Sequence, residues 1–140
     1  RAGTVLGTPE YMSPEQARGL PLDHRSDLYS LGITYYRLLL GRVPFTGKNA
    51  KRVMEKVVFD EPEPARKIDP TLAPIIYTIV TKLLKKRPAD RYQKAAELIQ
   101  DLEVAIGQIQ ADVKCGNTTG PLPRVKSERM RRSSGRFWSS

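Results

Sequence analysis

Between residues 72 and 84 the apolar positions fall at Leu72, Ile75, Ile76, Ile79, Val80, Leu83 and Leu84. Steps of three and four lay such residues in one stripe along an α-helix, and Arg87-Pro88 ends the pattern. The same spacing returns at Ala95, Leu98, Ile99, Leu102, Ala105, Ile106 and Ile109, predicting a last amphipathic helix that fades before Cys115. The segment from Ser26 to Gly41 differs from both. Its apolar residues, Leu28, Tyr29, Leu31, Ile33, Tyr35, Tyr36, Leu38, Leu39 and Leu40, point all around a helix axis, and a helix that is apolar all round is a buried one. Ser26 is the expected cap and Asp27 the first-turn acid facing the positive end of the helix dipole; Gly41 and Pro44 supply the stop. About 15 residues at about 1.5 Å each make a rod of roughly 22 Å, the axle around which the other elements are expected to pack.

Shorter signals fill in the rest. In Ser13-Pro14-Glu15-Gln16, Ser13 suits the cap and Pro14 the first helical position, while Gln16 stands where a capping box needs Glu or Gln. Gly19 and Pro21 close that helix early. A short helix is expected over residues 49–58, followed by an acidic, proline-broken loop, Asp60-Glu61-Pro62-Glu63-Pro64. The fold class is mostly α, with four or five helices around a buried central one.

Length and charge divide the chain. Its 140 residues allow one small core and exclude a two-lobed enzyme of ordinary size. The 24 Lys and Arg against 15 Asp and Glu give a net +9. Residues 114–140 hold seven basic side chains and one acid, leaving 17 basic and 14 acidic residues, or +3, for the rest. The basicity therefore belongs to the tail, which is rich in Gly, Pro and Ser and lacks apolar periodicity. The expected organisation is a helical domain over 1–112 and a disordered basic tail over 113–140. A solvated linker is the reading its composition favours over contact with nucleic acid or an anionic membrane surface through Arg129, Arg131, Arg132, Arg136 and Phe137-Trp138. Ser133 and Ser134, following Arg131-Arg132, are possible phosphosites. A lone Cys115 forms no internal disulfide, no segment has the roughly 18 apolar residues of a membrane span, and the chain is expected in the cytoplasm, on its own or as the cytoplasmic part of a membrane-anchored parent. A first residue of Arg rather than Met points to a piece of something longer.

Three motifs then fall in order: Gly7-Thr8-Pro9-Glu10-Tyr11-Met12-Ser13-Pro14-Glu15, Ser26-Asp27-Leu28-Tyr29-Ser30-Leu31-Gly32, and Arg87-Pro88-Ala89-Asp90-Arg91-Tyr92. Together they resemble the second half of a protein kinase domain, closest in flavour to the eukaryotic-like serine/threonine kinases of bacteria, over residues 1 to about 110. The resemblance implies the helical C-terminal portion of the large kinase lobe. It places Gly7, Thr8, Pro9, Glu10 and Tyr11 in the loop that receives the substrate residue after the phosphoacceptor, with Thr8 the mark of serine/threonine specificity. It pairs Glu15 with Arg91 in a buried salt bridge that fastens the activation segment. It makes Asp27 the anchor of the catalytic-loop backbone, and it puts Thr4 where such kinases are often phosphorylated. Each of these residues also has a plain reading, as solvated charge, first-turn acid or surface hydroxyl.

Phosphoryl transfer needs a glycine-rich loop over the phosphates, a strand lysine, a catalytic aspartate, and metal ligands from Asp-Phe-Gly and a catalytic-loop Asn. None is found in the sequence. His24-Arg25-Ser26-Asp27 has an intervening Ser, and Phe59-Asp60-Glu61 lacks the Asp before Phe and the Gly after it. No catalytic residue and no metal ligand is therefore expected in this chain. Two readings stand. One is a C-terminal kinase fragment whose missing N-terminal half would hold ATP and Mg and whose intact parent acts on protein Ser or Thr. The other is a non-catalytic docking module or a protein acting through its basic tail.

Overall fold

The computed structural model describes residues 8–116. Within them the architecture is mostly α, with no strand among the described residues. A 3-10 turn at Pro9–Tyr11 leads into α1 (Pro14–Ala17), α2 (His24–Leu40), α3 (Ala50–Phe59), α4 (Ala65–Ile68) and α5 (Pro74–Leu83), and a second 3-10 turn at Pro88–Asp90 precedes α6 (Ala95–Lys114). No helix among the described residues is long and apolar enough to cross a membrane.

The capping box forms as the sequence predicts. Ser13 Oγ accepts from the Gln16 N–H at 3.2 Å, and the Gln16 side-chain oxygen accepts from the Ser13 N–H at 2.9 Å. Gly19, at φ +67°, ends the turn in the left-handed region that glycine enters without steric cost. The start of α2 differs from the expectation. Its cap is Asp23, whose carboxylate accepts from the Arg25 N–H at 2.8 Å, so the helix begins at His24 and has 17 residues. Ser26 is already helical, which frees its hydroxyl for another partner. Gly41, at φ +76°, closes α2 as predicted.

The core forms around α2. Tyr29, Ile33 and Tyr36 pack with Ala65, Leu72, Val80 and Leu84 on one side; Leu28 joins Ile79, Leu83, Tyr92, Leu98 and Ala105 on the other. A separate small cluster, Phe45, Val53 and Val57, seats α3. The approach of α5 to α2 is close at Gly32, where an added Cβ would stand 2.7 Å from Leu83 Cβ. The rod is not buried all round, however. Asp27, Leu31, Thr34 and Leu38 share one exposed face, and Leu31 and Leu38 keep 48% and 45% of their surface. This bare stripe alternates polar and apolar side chains along the helix.

Candidate functional site

The site is built where the loop ahead of α1, the first turns of α2 and the segment before α6 meet. Proline at the first position of α1 and the Ser13 cap fix the entry angle of that helix, and this directs Glu15 inward, where it is 6% exposed. Arg91 arrives from a position 76 residues later, carried by the 3-10 turn after α5, and is 2% exposed.

The two side chains form a planar fork. Arg91 Nη1 donates to Glu15 Oε2 at 2.7 Å and Nη2 to Glu15 Oε1 at 2.8 Å. The other guanidinium N–H groups go to backbone carbonyls: Nε to Lys85 at 2.7 Å, Nη1 to Arg25 at 3.0 Å and Nη2 to Lys86 at 3.0 Å. All five donors of an arginine are thereby used. Ser26 Oγ, released from capping, donates to Glu15 Oε2 at 2.7 Å. Below the guanidinium lies the Tyr29 ring, 4.9 Å from Cζ to centroid, a cation–π contact in a desolvated setting. Burial opposes ionisation of Glu15. Hydrogen bonds from Arg91, a backbone N–H and Ser26, with the Arg91 charge, outweigh it and bring the carboxyl from 4.5 down to about 2. Burial pushes the Tyr29 phenol well above its ordinary range, and its hydroxyl has no hydrogen-bond partner among the described residues.

The loop over Thr8, Pro9, Glu10 and Tyr11 is tied to the rod at one residue. Ser30 Oγ donates to the Tyr11 carbonyl at 2.7 Å, and Arg37 Nη1 donates to the Tyr11 hydroxyl at 2.5 Å. Backbone and side-chain ends of Tyr11 are thus both held by α2, one turn of helix or more apart. Asp27 lies at the exposed start of the bare stripe. Gly7, Thr4, Ser133 and Ser134 lie outside the described residues.

Several residues that shape this site have no signal in the sequence pattern. Gln93 closes the loop behind Arg91: its side-chain amide donates to the carbonyls of Pro88, Ala89 and Arg91, and its Oε1 accepts from Arg25 Nη1 at 3.0 Å. The His24 ring hydrogen-bonds the Gln93 carbonyl at 2.5 Å, which requires Nε2 to carry the proton. Arg25 also grips its cap residue Asp23 at 2.7 Å. The N-terminus of α2 and the Arg91 loop are therefore one hydrogen-bonded unit.

This arrangement holds a loop against a helix through the paired side chains of Glu15 and Arg91. A family model described as the protein kinase domain matches residues 1–102. The serine/threonine-protein kinase pkn3 of Myxococcus xanthus is 45% identical over 105 residues, which cover 74% of this chain and 19% of that protein. PknB of Mycolicibacterium smegmatis, named a serine/threonine-protein kinase, is 42% identical over 102 residues, covering 73% of this chain and 16% of its own length. A second M. xanthus kinase, pkn2, is 42% identical over 127 residues, or 89% of this chain and 15% of that protein. The chain thus spans less than a fifth of the length of these relatives. The motif order, the helical architecture and the extent of the family match give one conclusion: this chain belongs to the protein kinase domain family.

Proposed function

We propose that this chain is the C-terminal, substrate-facing part of a serine/threonine protein kinase domain, and that residues 1–112 are its share of that domain. The observation that carries the reading is the buried Glu15–Arg91 fork, which fastens the loop bearing Thr8 and Tyr11 to the helical body. In an intact kinase, ATP with Mg supplies the phosphoryl group, and metal ions held by Asp and Asn side chains neutralise its charge. Among the described residues no group of three or more His, Cys, Asp or Glu side chains could hold a metal ion, and the chain has no glycine-rich phosphate loop. No step through nucleotide or metal is assigned to the described residues.

What the chain's own residues do is bind and orient. Thr8, Pro9, Glu10 and Tyr11 form the surface against which the substrate segment after the phosphoacceptor lies, with Gly7 completing the loop. Ser30 and Arg37 keep that surface in register with α2. Asp27, at the head of the bare stripe, holds the backbone of the catalytic loop, and Leu31 and Leu38 are covered by the preceding half of the domain. Thr4 is a regulatory phosphosite, and Ser133 and Ser134 are phosphoacceptors for a base-directed kinase. The partner is a protein carrying the Ser or Thr to be modified, and the location is the cytoplasm. Reading the coding sequence upstream of Arg1 tests the proposal. An open frame carrying a strand lysine, a catalytic loop and Asp-Phe-Gly is the expected result; a start codon immediately upstream of Arg1, with none of these, overturns it.

A further inference from the structure

Between α5 and the segment 61–65, with Tyr36 of α2 in its lining, lies an open cavity of about 200 Å³. Its floor is Val80 and Leu84, and its walls are Pro62, Pro64 and the Tyr77 ring, with Glu61 at the rim. The volume is below the roughly 300–1,000 Å³ of clefts that take a whole small molecule, and it matches a single large side chain. Proline and tyrosine walls over an aliphatic floor suit an aromatic ring. The Glu61 carboxylate makes no hydrogen bond or ion pair with any described residue. Of the charged residues lining the cavity, Glu63 is paired with Arg42 at 2.9 Å and Lys85 is basic, and Glu61, an exposed acid at the rim, feels the nearby charge of Lys86.

The chain itself carries a matching element. Phe137-Trp138 follows Arg136, and the 24 residues after Gly116 hold six basic side chains and one acid. Gly116 to Trp138 is 22 residues, which span up to roughly 75 Å when extended, whereas a domain of this size has a radius of gyration of about 13 Å. Every point on the surface is within reach, and a tether of this length gives an effective concentration on the order of millimolar. We propose that the tail docks in cis on this cavity, with the Trp138 ring between Tyr77 and the two prolines and Arg136 against Glu61. The site is distinct from the substrate-facing loop, and the proposal stands or falls independently of the kinase reading.

Trp138 is the only tryptophan, so the full chain reports on itself. The expected result is Trp138 emission blue-shifted from that of a synthetic peptide of residues 117–140, with acrylamide quenching severalfold weaker, both independent of protein concentration. Tyr77→Ala and the rim variant Glu61→Lys should each return the emission to that of the peptide while helical circular dichroism stays unchanged. Glu61→Lys alters an exposed side chain and keeps the test valid if Tyr77→Ala misfolds. Emission equal to that of the peptide overturns the proposal. So does protection that neither variant removes, which would place the ring elsewhere, or protection that grows with concentration, which would mean a second copy supplies the tail.

Discussion

Replacing Arg91 with Leu removes the guanidinium while retaining an apolar side chain, so the loss isolates what the fork does. The Glu15 carboxylate is left buried with the Ser26 hydroxyl, and the carbonyls of Lys85, Lys86 and Arg25 lose their donor. Breaking a buried pair by removing one partner costs about 3–5 kcal/mol, against a total stability of about 5–15 kcal/mol. The pH dependence gives a second, sharper signature. In the native chain Glu15 sits at about 2 rather than its ordinary 4.5, so its contribution is fully present above pH 4.5 and is lost as pH falls towards 2. At about 1.4 kcal/mol per pH unit that limb is worth roughly 3 kcal/mol. Without Arg91, burial is unopposed by the guanidinium and raises the Glu15 pKa. Acidification then protonates a stranded charge, and the variant gains on the native chain as pH falls. Urea unfolding followed by circular dichroism from pH 7 to pH 2 measures both effects. An Arg91→Leu chain within about 1 kcal/mol of native at pH 7, or one with an unchanged acid limb, refutes the reasoning.

Other perturbations test neighbouring parts of the account. The N-cap of α6 is Lys94, which makes no side-chain cap bond, so Lys94→Ser should add about 1 kcal/mol and raise the thermal midpoint. No gain would mean that Glu97, which already accepts from the Gln93 N–H, has satisfied that end. Gly32→Ala sets a Cβ against Leu83 at 2.7 Å; overpacking of about 1–3 kcal/mol exceeds the helix-propensity gain of at most about 1 kcal/mol, and chemical denaturation should show a net loss. Lys86 lies 4.4 Å from the Phe45 ring centroid and donates to the Val57 carbonyl. Burial lowers its pKa from 10.5 to about 8, so the unfolded chain binds the extra proton between those values and stability should rise with pH from 8 towards 10. Lys86→Met should flatten that rise, and a slope retained in the variant would assign it to another group.

The sequence reveals what is local and leaves obscure what is not. The Ser13 capping box spans three residues, so its donors and acceptors follow from the pattern alone. Both glycine stops, at Gly19 and Gly41, are equally local. Ser is a good cap before an apolar run, so the sequence points to Ser26, but Asp23 takes that place and the Ser26 hydroxyl turns to Glu15. Nothing in the spacing of Glu15 and Arg91 indicates a contact across 76 residues, and only the resemblance to kinase motifs paired them. The four-residue α4 has too few positions to show a period; it forms because Ala65 packs into the core. The even distribution of apolar residues around α2 implied burial on all sides, yet Leu31 and Leu38 are bare, since periodicity records that a face is apolar and not which segment covers it.

The most direct test of the central claim is phosphoryl transfer by a chimera that joins the upstream half of the PknB kinase domain of Mycolicibacterium smegmatis, through Asp-Phe-Gly, to residues 1–112 of this chain. The account predicts transfer to serine and threonine in a protein substrate, lost on Arg91→Leu and retained on Lys94→Ser. A soluble, ATP-binding chimera whose transfer is unchanged by Arg91→Leu, or that transfers nothing at all, would contradict it.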